Sequence, residues 1–300
     1  MDPATASNYA EVSVPDFSVR LAVDFPARRV YGLAQLSLAA PGKGIPATVT
    51  LDAHKLGVFS VTGWRGTVGE EEPTSSGIVL PFETVPFTAF GGQLRVDTTA
   101  LSRAEAATLR IAYAGGEGAA LCWLDPVQTA GKAHPFLFTQ GQACLNRTLF
   151  PCQDTPSSRS TWRATLIVPR TFTAVMSAPT TSAVAGSGGV GDALSEGSFI
   201  VEKLRELAAL PVLVEAGVKP VEAVAVHAFS ASMPHAVPVY LVAFAVGDLR
   251  CAGEQPLSRG AQASARTPAP SPAQTLGLGR ACGRSRRSSR ARRGSLGTRT

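Results

Sequence analysis

Gln140 and Gln142 stand two residues apart in the stretch Gly131-Lys-Ala-His-Pro-Phe-Leu-Phe-Thr-Gln-Gly-Gln-Ala143. On a strand, that spacing projects both amides from one face, with Gly141 between them. Glutamine amides carry donors and an acceptor, so the pair can bind a peptide backbone or a carboxylate. Taken by themselves the residues leave a second reading open, a polar strand face with no ligand. Further on, Pro151 and Pro156 bracket a turn, Pro151-Cys-Gln-Asp-Thr-Pro156, in which Asp154 can accept backbone hydrogen bonds.

Other chemistries find less support. The four histidines are His54, His134, His227 and His235, and no H-E-x-x-H occurs. His227 and His235 sit across a strand-turn segment containing Pro234, a spacing that suits structure better than metal binding. A nucleophile elbow and a dinucleotide fingerprint are both missing. The glycines between Gly186 and Gly191 have Ala and Ser neighbours and read as linker. The five cysteines, Cys122, Cys144, Cys152, Cys251 and Cys282, include no C-x-x-C pair. Free buried thiols in a reducing compartment follow, and with them a cytoplasmic protein.

The net charge of +6 hides a division along the chain. Residues 261–300 hold nine arginines and no acidic residue, which leaves the preceding body at −3. The cluster Arg284, Arg286, Arg287, Arg290, Arg292 and Arg293 has no aromatic residue interleaved for base stacking. Non-specific phosphate contact is the most it offers to nucleic acid. A solvated passive tail, or a segment under no selection, is the alternative. No run of eighteen apolar residues suggests a membrane span, and the amino terminus lacks the basic-then-apolar order of a secretory signal.

The elements that must position the glutamines are strands. Val19, Leu21, Val23 and Phe25 alternate with Arg20, Ala22 and Asp24. Ala34 to Leu38, Val49 with Leu51, Leu56 to Val61, Gly77 to Leu80, Leu109 to Tyr113 and Trp162 to Val168 repeat the pattern. Ala223 to Phe229 and Val239 to Val246 complete about ten short antiparallel strands. The expected fold is all-β, a saddle-like or sandwich-like sheet domain with little helix. Ser102-Arg-Ala-Glu105 fits a capping box with a turn or two of helix behind it, and Ile200, Leu204 and Leu207 suggest a short amphipathic helix. A flexible start over 1–14, a β domain over 15–258 and a disordered arginine-rich tail over 259–300 are the expected divisions.

The block from Gly131 to Pro156 resembles the leukotriene A4 hydrolase and aminopeptidase B branch of the zinc aminopeptidases. Ala120-Leu-Cys-Trp-Leu124, Gln128-Thr129, His134-Pro135, Thr139-Gln-Gly-Gln-Ala143 and Pro151-Cys-Gln-Asp-Thr-Pro156 follow that branch's order and spacing. Val168-Pro169, Met176-Ser-Ala178 and Pro238 to Gly247 continue the likeness, with a weaker one at Leu51-Asp52. The resemblance covers about residues 15–258. It implies a saddle-shaped amino-terminal domain whose Gln140, Gly141 and Gln142 contact substrate, followed in such enzymes by a zinc-bearing catalytic domain. The family reaction is removal of amino-terminal residues from peptides, with epoxide hydrolysis as a further activity. The Gly-Gly-Met-Glu-Asn loop and H-E-x-x-H of that branch do not occur in the chain, so catalytic residues, metal ligands and a cofactor of its own are not expected. Residues 181–230 exceed the family's connection and read as an insertion. A second reading of the whole is a non-catalytic peptide-binding or interaction protein derived from that domain.

Overall fold

The computed structural model describes residues 2–68, 77–88, 91–183 and 226–250. All fall in one compact unit spanning residues 1–252. The Gly-, Ser- and Ala-rich stretch after Ala183, the expected helix at Ile200 to Leu207 and the arginine-rich tail lie outside the described residues.

Strands dominate what is described. The chain runs through β1 (Ser13–Asp24), β2 (Arg29–Ala39), β3 (Thr48–Ala53), β4 (Gly57–Arg65) and β5 (Ile78–Val79). It continues with β6 (Phe82–Thr88), β7 (Gly91–Asp97), β8 (Ala106–Gly115), β9 (Leu121–Leu124) and β10 (Phe136–Thr139). The last five are β11 (Arg159–Pro169), β12 (Thr173–Met176), β13 (Thr180–Ala183), β14 (Val226–Pro238) and β15 (Phe244–Gly247). Among the described residues the only helical turns are short 3-10 turns. One of them, Thr99–Leu101, ends where the expected Ser102 capping box was to begin. Ser102 closes that turn by donating its hydroxyl to the Thr99 carbonyl, 2.8 Å away, and Ala106 already starts β8.

Three sheets result. The largest has the order β13-β14-β11-β1-β2-β8-β4-β5; a second is β12-β15-β10-β9 and a third β3-β7-β6. The pairing is antiparallel apart from β1 and β11, which run parallel from Asp16↔Thr161 to Ala22↔Ile167, an exception to the expected all-antiparallel order. Period-two alternation explains the core. Val19, Leu21 and Val23 of β1, Leu36 and Leu38 of β2, and Leu109 and Ile111 of β8 are buried. They join one apolar cluster with Leu51 and Leu94 of the third sheet and Leu137 and Val246 of the second.

Two expected strands end differently. β14 runs through Pro234, because its register with β11 shifts between Ser160 and Trp162 and the proline needs no ladder hydrogen bond at such an irregularity. The expected strand from Val239 to Val246 is instead a 3-10 turn, Val239–Leu241, followed by the shorter β15. Leu36 lies on β2, opposite Phe17 of β1 and Leu109 of β8. Truncating it (Leu36→Ala) should cost about 2–5 kcal/mol in urea unfolding, and a loss under about 1 kcal/mol would mean that this face is not core.

Candidate functional site: a glutamine turn on a buried ion cluster

β10 stops at Thr139, so Gln140 and Gln142 stand in the turn that follows rather than on a strand. Both glutamines are exposed, Gly141 between them is buried, and among the described residues no partner takes either side-chain amide. The Gln140 N–H still bonds in register with β9, donating to the Ala120 carbonyl at 2.9 Å. The segment turns away at Gly141, whose carbonyl accepts from Leu145 N–H at 2.8 Å. The Gln142–Ala143 peptide is cis. Gly141 has no room for a side chain: a Cβ there would lie 2.6 Å from both Asn146 Oδ1 and the Tyr240 carbonyl oxygen.

The 3-10 turn Asn146–Thr148 fastens this segment, and all three of its side chains are buried. Asn146 Nδ2 donates to the Val239 and Val242 carbonyls at 2.7 and 3.0 Å. Thr148 Oγ1 accepts from Ala120 N–H at 3.0 Å and donates to the Leu145 carbonyl at 2.7 Å. Thr139 adds a further tie, its Oγ1 accepting from Phe244 N–H at 2.8 Å.

Arg147 points the third way, into the interior. Its Nε lies 3.1 Å from Asp154 Oδ2 and its Nη1 lies 3.4 Å from Asp52 Oδ1. Its Nη2 donates to the Asp154 carbonyl at 2.9 Å, and its own N–H donates to Asp154 Oδ2 at 3.0 Å. Asp154 therefore accepts a backbone hydrogen bond, as expected of it, but from Arg147 N–H, outside the proline-bracketed turn, and it accepts from the guanidinium as well. The three side chains are at most 1% exposed. Asp52 also accepts from Thr5 Oγ1, from Ala6 N–H at 2.8 Å and from Asp154 N–H at 2.9 Å. Thr5 and Ala6, within the stretch 1–14 expected to be flexible, are thus bonded into the cluster. Thr155 Oγ1 donates to Asp2 at 2.7 Å, and Asn8 pairs with the β3 backbone at Thr48 and Thr50.

Burial pushes Asp52 above the ordinary carboxylate value, against the opposing pull of the Thr5 hydroxyl, the Arg147 charge and the two amides. Asp154 is raised for the same reason, with the Arg147 backbone amide and charge opposing. Burial also works against the Arg147 charge, but Asp52 and Asp154 outweigh it and hold the guanidinium protonated above its usual value. The Cys144 thiol, half-buried beside this cluster, is raised by burial, and Cys152 is raised further. Composition gave no sign of the Arg147 cluster; in the family resemblance Asp154 and Leu51-Asp52 are only separate stretches.

The histidines stay apart. His54 follows β3, His134 precedes β10 and stacks edge-on against Phe172, and His227 and His235 lie on β14. Among the described residues no three His, Cys, Asp or Glu side chains come together to hold a metal ion. The acidic pair Asp52 and Asp154 faces a guanidinium, so these residues do not fit a zinc centre.

An all-β domain with these connections defines a class. The family model for the Peptidase M1 N-terminal domain matches residues 13–188, and the chain belongs to that family. Aminopeptidase B from Mus musculus is 32% identical over 86% of this chain and 35% of its own length. The structure of native yeast LTA4 hydrolase superposes with a TM-score of 0.61 at 23% identity, covering 85% of this chain and 32% of that one. An M1 zinc metallopeptidase from Deinococcus radiodurans shares the fold with a TM-score of 0.50 at 16% identity, over 79% of this chain and 42% of its own. The chain spans about a third of the length of the curated relatives.

Removing one partner of a buried ion cluster strands the others without water. Arg147→Met should therefore lower stability by about 3–5 kcal/mol in chemical unfolding, and a change within about 1 kcal/mol would make the cluster incidental. The pH dependence has a definite sign. A carboxylate raised in the fold binds its proton more tightly there than in the unfolded chain, so its stabilising contribution is largest at low pH. It is lost as pH climbs from the ordinary carboxylate value through the raised one. The stability of the parent chain minus that of Asp52→Asn should fall across that window; a rise would reverse the assignment.

Proposed function

We propose that this domain forms a peptide-facing wall in the cleft of a zinc aminopeptidase, where Gln140 and Gln142 present their amides to substrate. The observation that carries the reading is two exposed amides, unpaired among the described residues, flanking a buried Gly141 that has no room for a side chain. Membership of the M1 family supports a peptide as the ligand. Each amide donates to a carbonyl and accepts from an N–H, which suits the repeating backbone of an extended peptide and also its terminal carboxylate. Both groups are neutral, so they bind and orient without activating water. In this reading the zinc and the general base come from a catalytic domain outside this sequence, and this chain alone does not turn over substrate. Cys122, Cys144 and Cys152 are free thiols, which supports a reducing compartment and a cytoplasmic enzyme.

Titrating the isotope-labelled chain with tri-alanine should shift the side-chain amide signals of Gln140 and Gln142, with a Kd of about millimolar order. Gln140→Ala and Gln142→Ala should each weaken binding by about fivefold, the net worth of one neutral hydrogen bond. Shifts confined to other residues, or none at saturating peptide, would overturn the reading. Release of an aminoacyl fluorophore by this chain in added zinc would overturn the binding-only role.

A further inference from the structure

We infer that Asn146 is the positioning residue of this site, setting where Gln140 and Gln142 stand without touching the peptide itself. The inference rests on the reading of the glutamine turn given above.

Asn146 is fully buried, yet it is polar at both ends of its amide. Its Nδ2 spends both hydrogens on the Val239 and Val242 carbonyls, the two ends of the 3-10 turn after Pro238. The Val242 carbonyl would otherwise lack a donor, because the chain there belongs to no ladder, whereas the Val239 carbonyl also accepts from the Val242 N–H at 2.9 Å. Among the described residues its Oδ1 has no donor, and it lies directly against Gly141, so close that any side chain at 141 would strike it. Main-chain bonds complete the connection: the Gly141 carbonyl accepts from Leu145, and Asn146's own carbonyl accepts from Leu149 and Phe150. One side chain therefore grips the loop at residues 239–242 and supplies the wall against which Gly141 rests. Tyr240, whose carbonyl forms the other wall, is held by the same grip.

A buried acceptor left unpaired is costly, and hydrophobic residues of similar size would avoid that cost. What asparagine supplies here is two donors reaching one loop and a flat, hard edge against glycine. The consequence is that the separation of the two exposed glutamines is set by Asn146 through Gly141. A shift of this contact by a fraction of an ångström moves both amides together, which weakens a two-point contact with peptide more than it weakens the fold.

The test uses the whole chain, tri-alanine and hydrogen exchange. Asn146→Ala should weaken tri-alanine binding by about ten- to thirtyfold, the equivalent of one to two net hydrogen bonds. It should also speed exchange of the Leu145 N–H, which closes the turn onto Gly141. Leu36→Ala, remote from the turn on β2, serves as the comparison: it should lose stability while keeping tri-alanine affinity within about twofold. Where Asn146→Ala fails to fold, Ser177→Ala loosens the same loop from its exposed side. Ser177 Oγ donates to the Leu241 carbonyl at 2.8 Å and accepts from Ala243 N–H at 3.0 Å. Its loss should weaken binding by about two- to fivefold, part of the same hydrogen-bond worth. Unchanged affinity in Asn146→Ala or Ser177→Ala, or equal weakening by Leu36→Ala, overturns the positioning role alone. No tri-alanine binding by the parent chain overturns the reading of the glutamine turn and this inference with it.

Discussion

A guanidinium sealed from water must be surrounded by acceptors, and the placement of Arg147 among them organises this domain. Its carboxylate partners come from distant stretches: Asp52 from the end of β3 and Asp154 from the turn between the two prolines. Neither can leave without stranding a buried charge, a cost well above that of an exposed ion pair. The constraint spreads outward from there. Asp52 still has acceptor capacity to fill, and Thr5 and Ala6 fill it, which draws the first residues of the chain across β3. The backbone at Asp52 also bridges to Cys152, so the third sheet and the proline-bracketed turn are bonded through main chain as well as charge.

The same residue sits in the middle of a three-residue turn whose neighbours face other ways. Asn146 reaches the loop before β15, Arg147 the ion cluster, and Thr148 the start of β9. A single 3-10 turn thus ties the second sheet to the third. Such a short element has little stability of its own. Its rigidity is borrowed from the partners that its buried side chains bind, and the glutamine segment just before it inherits that rigidity.

The β-rich character of the chain was legible because alternation is a local signal. Val19, Leu21 and Val23, or Leu109 and Ile111, declare a buried face without reference to anything distant. β6 and β7 were missed for the opposite reason. β6 carries Pro86 and exposes Phe87, and β7 opens on two glycines, so neither shows a clean pattern until the two are paired. The capping box at Ser102 misled because its local chemistry is real, a hydroxyl beside a turn, while the β8 ladder claims the residues that a helix would need. At the site, Gln140, Gly141 and Gln142 stood out by spacing and resemblance, yet their strand ended one residue too soon. Arg147 and Asp52 were invisible as a pair because nothing in a linear sequence brings residues so far apart into contact. Asn146 was equally silent: its importance lies in which carbonyls it reaches.

At the glutamine turn, charge and neutrality are divided by depth, and the division suits its proposed task. Arg147, Asp52 and Asp154 lie beneath it, buried and paired with one another, so they are not offered to a ligand. The groups left at the surface of the turn are amides, whose single hydrogen bonds to a peptide contribute little against competing water. Two such weak contacts discriminate only if their separation is fixed before the peptide arrives, since otherwise ordering them would consume what they gain. Gly141 held between Asn146 and Tyr240, on a turn held by Arg147, supplies that fixation. In the proposed role the buried cluster and the exposed amides are parts of one device: the strong interactions stay away from the peptide, and they are what allows the weak ones to matter.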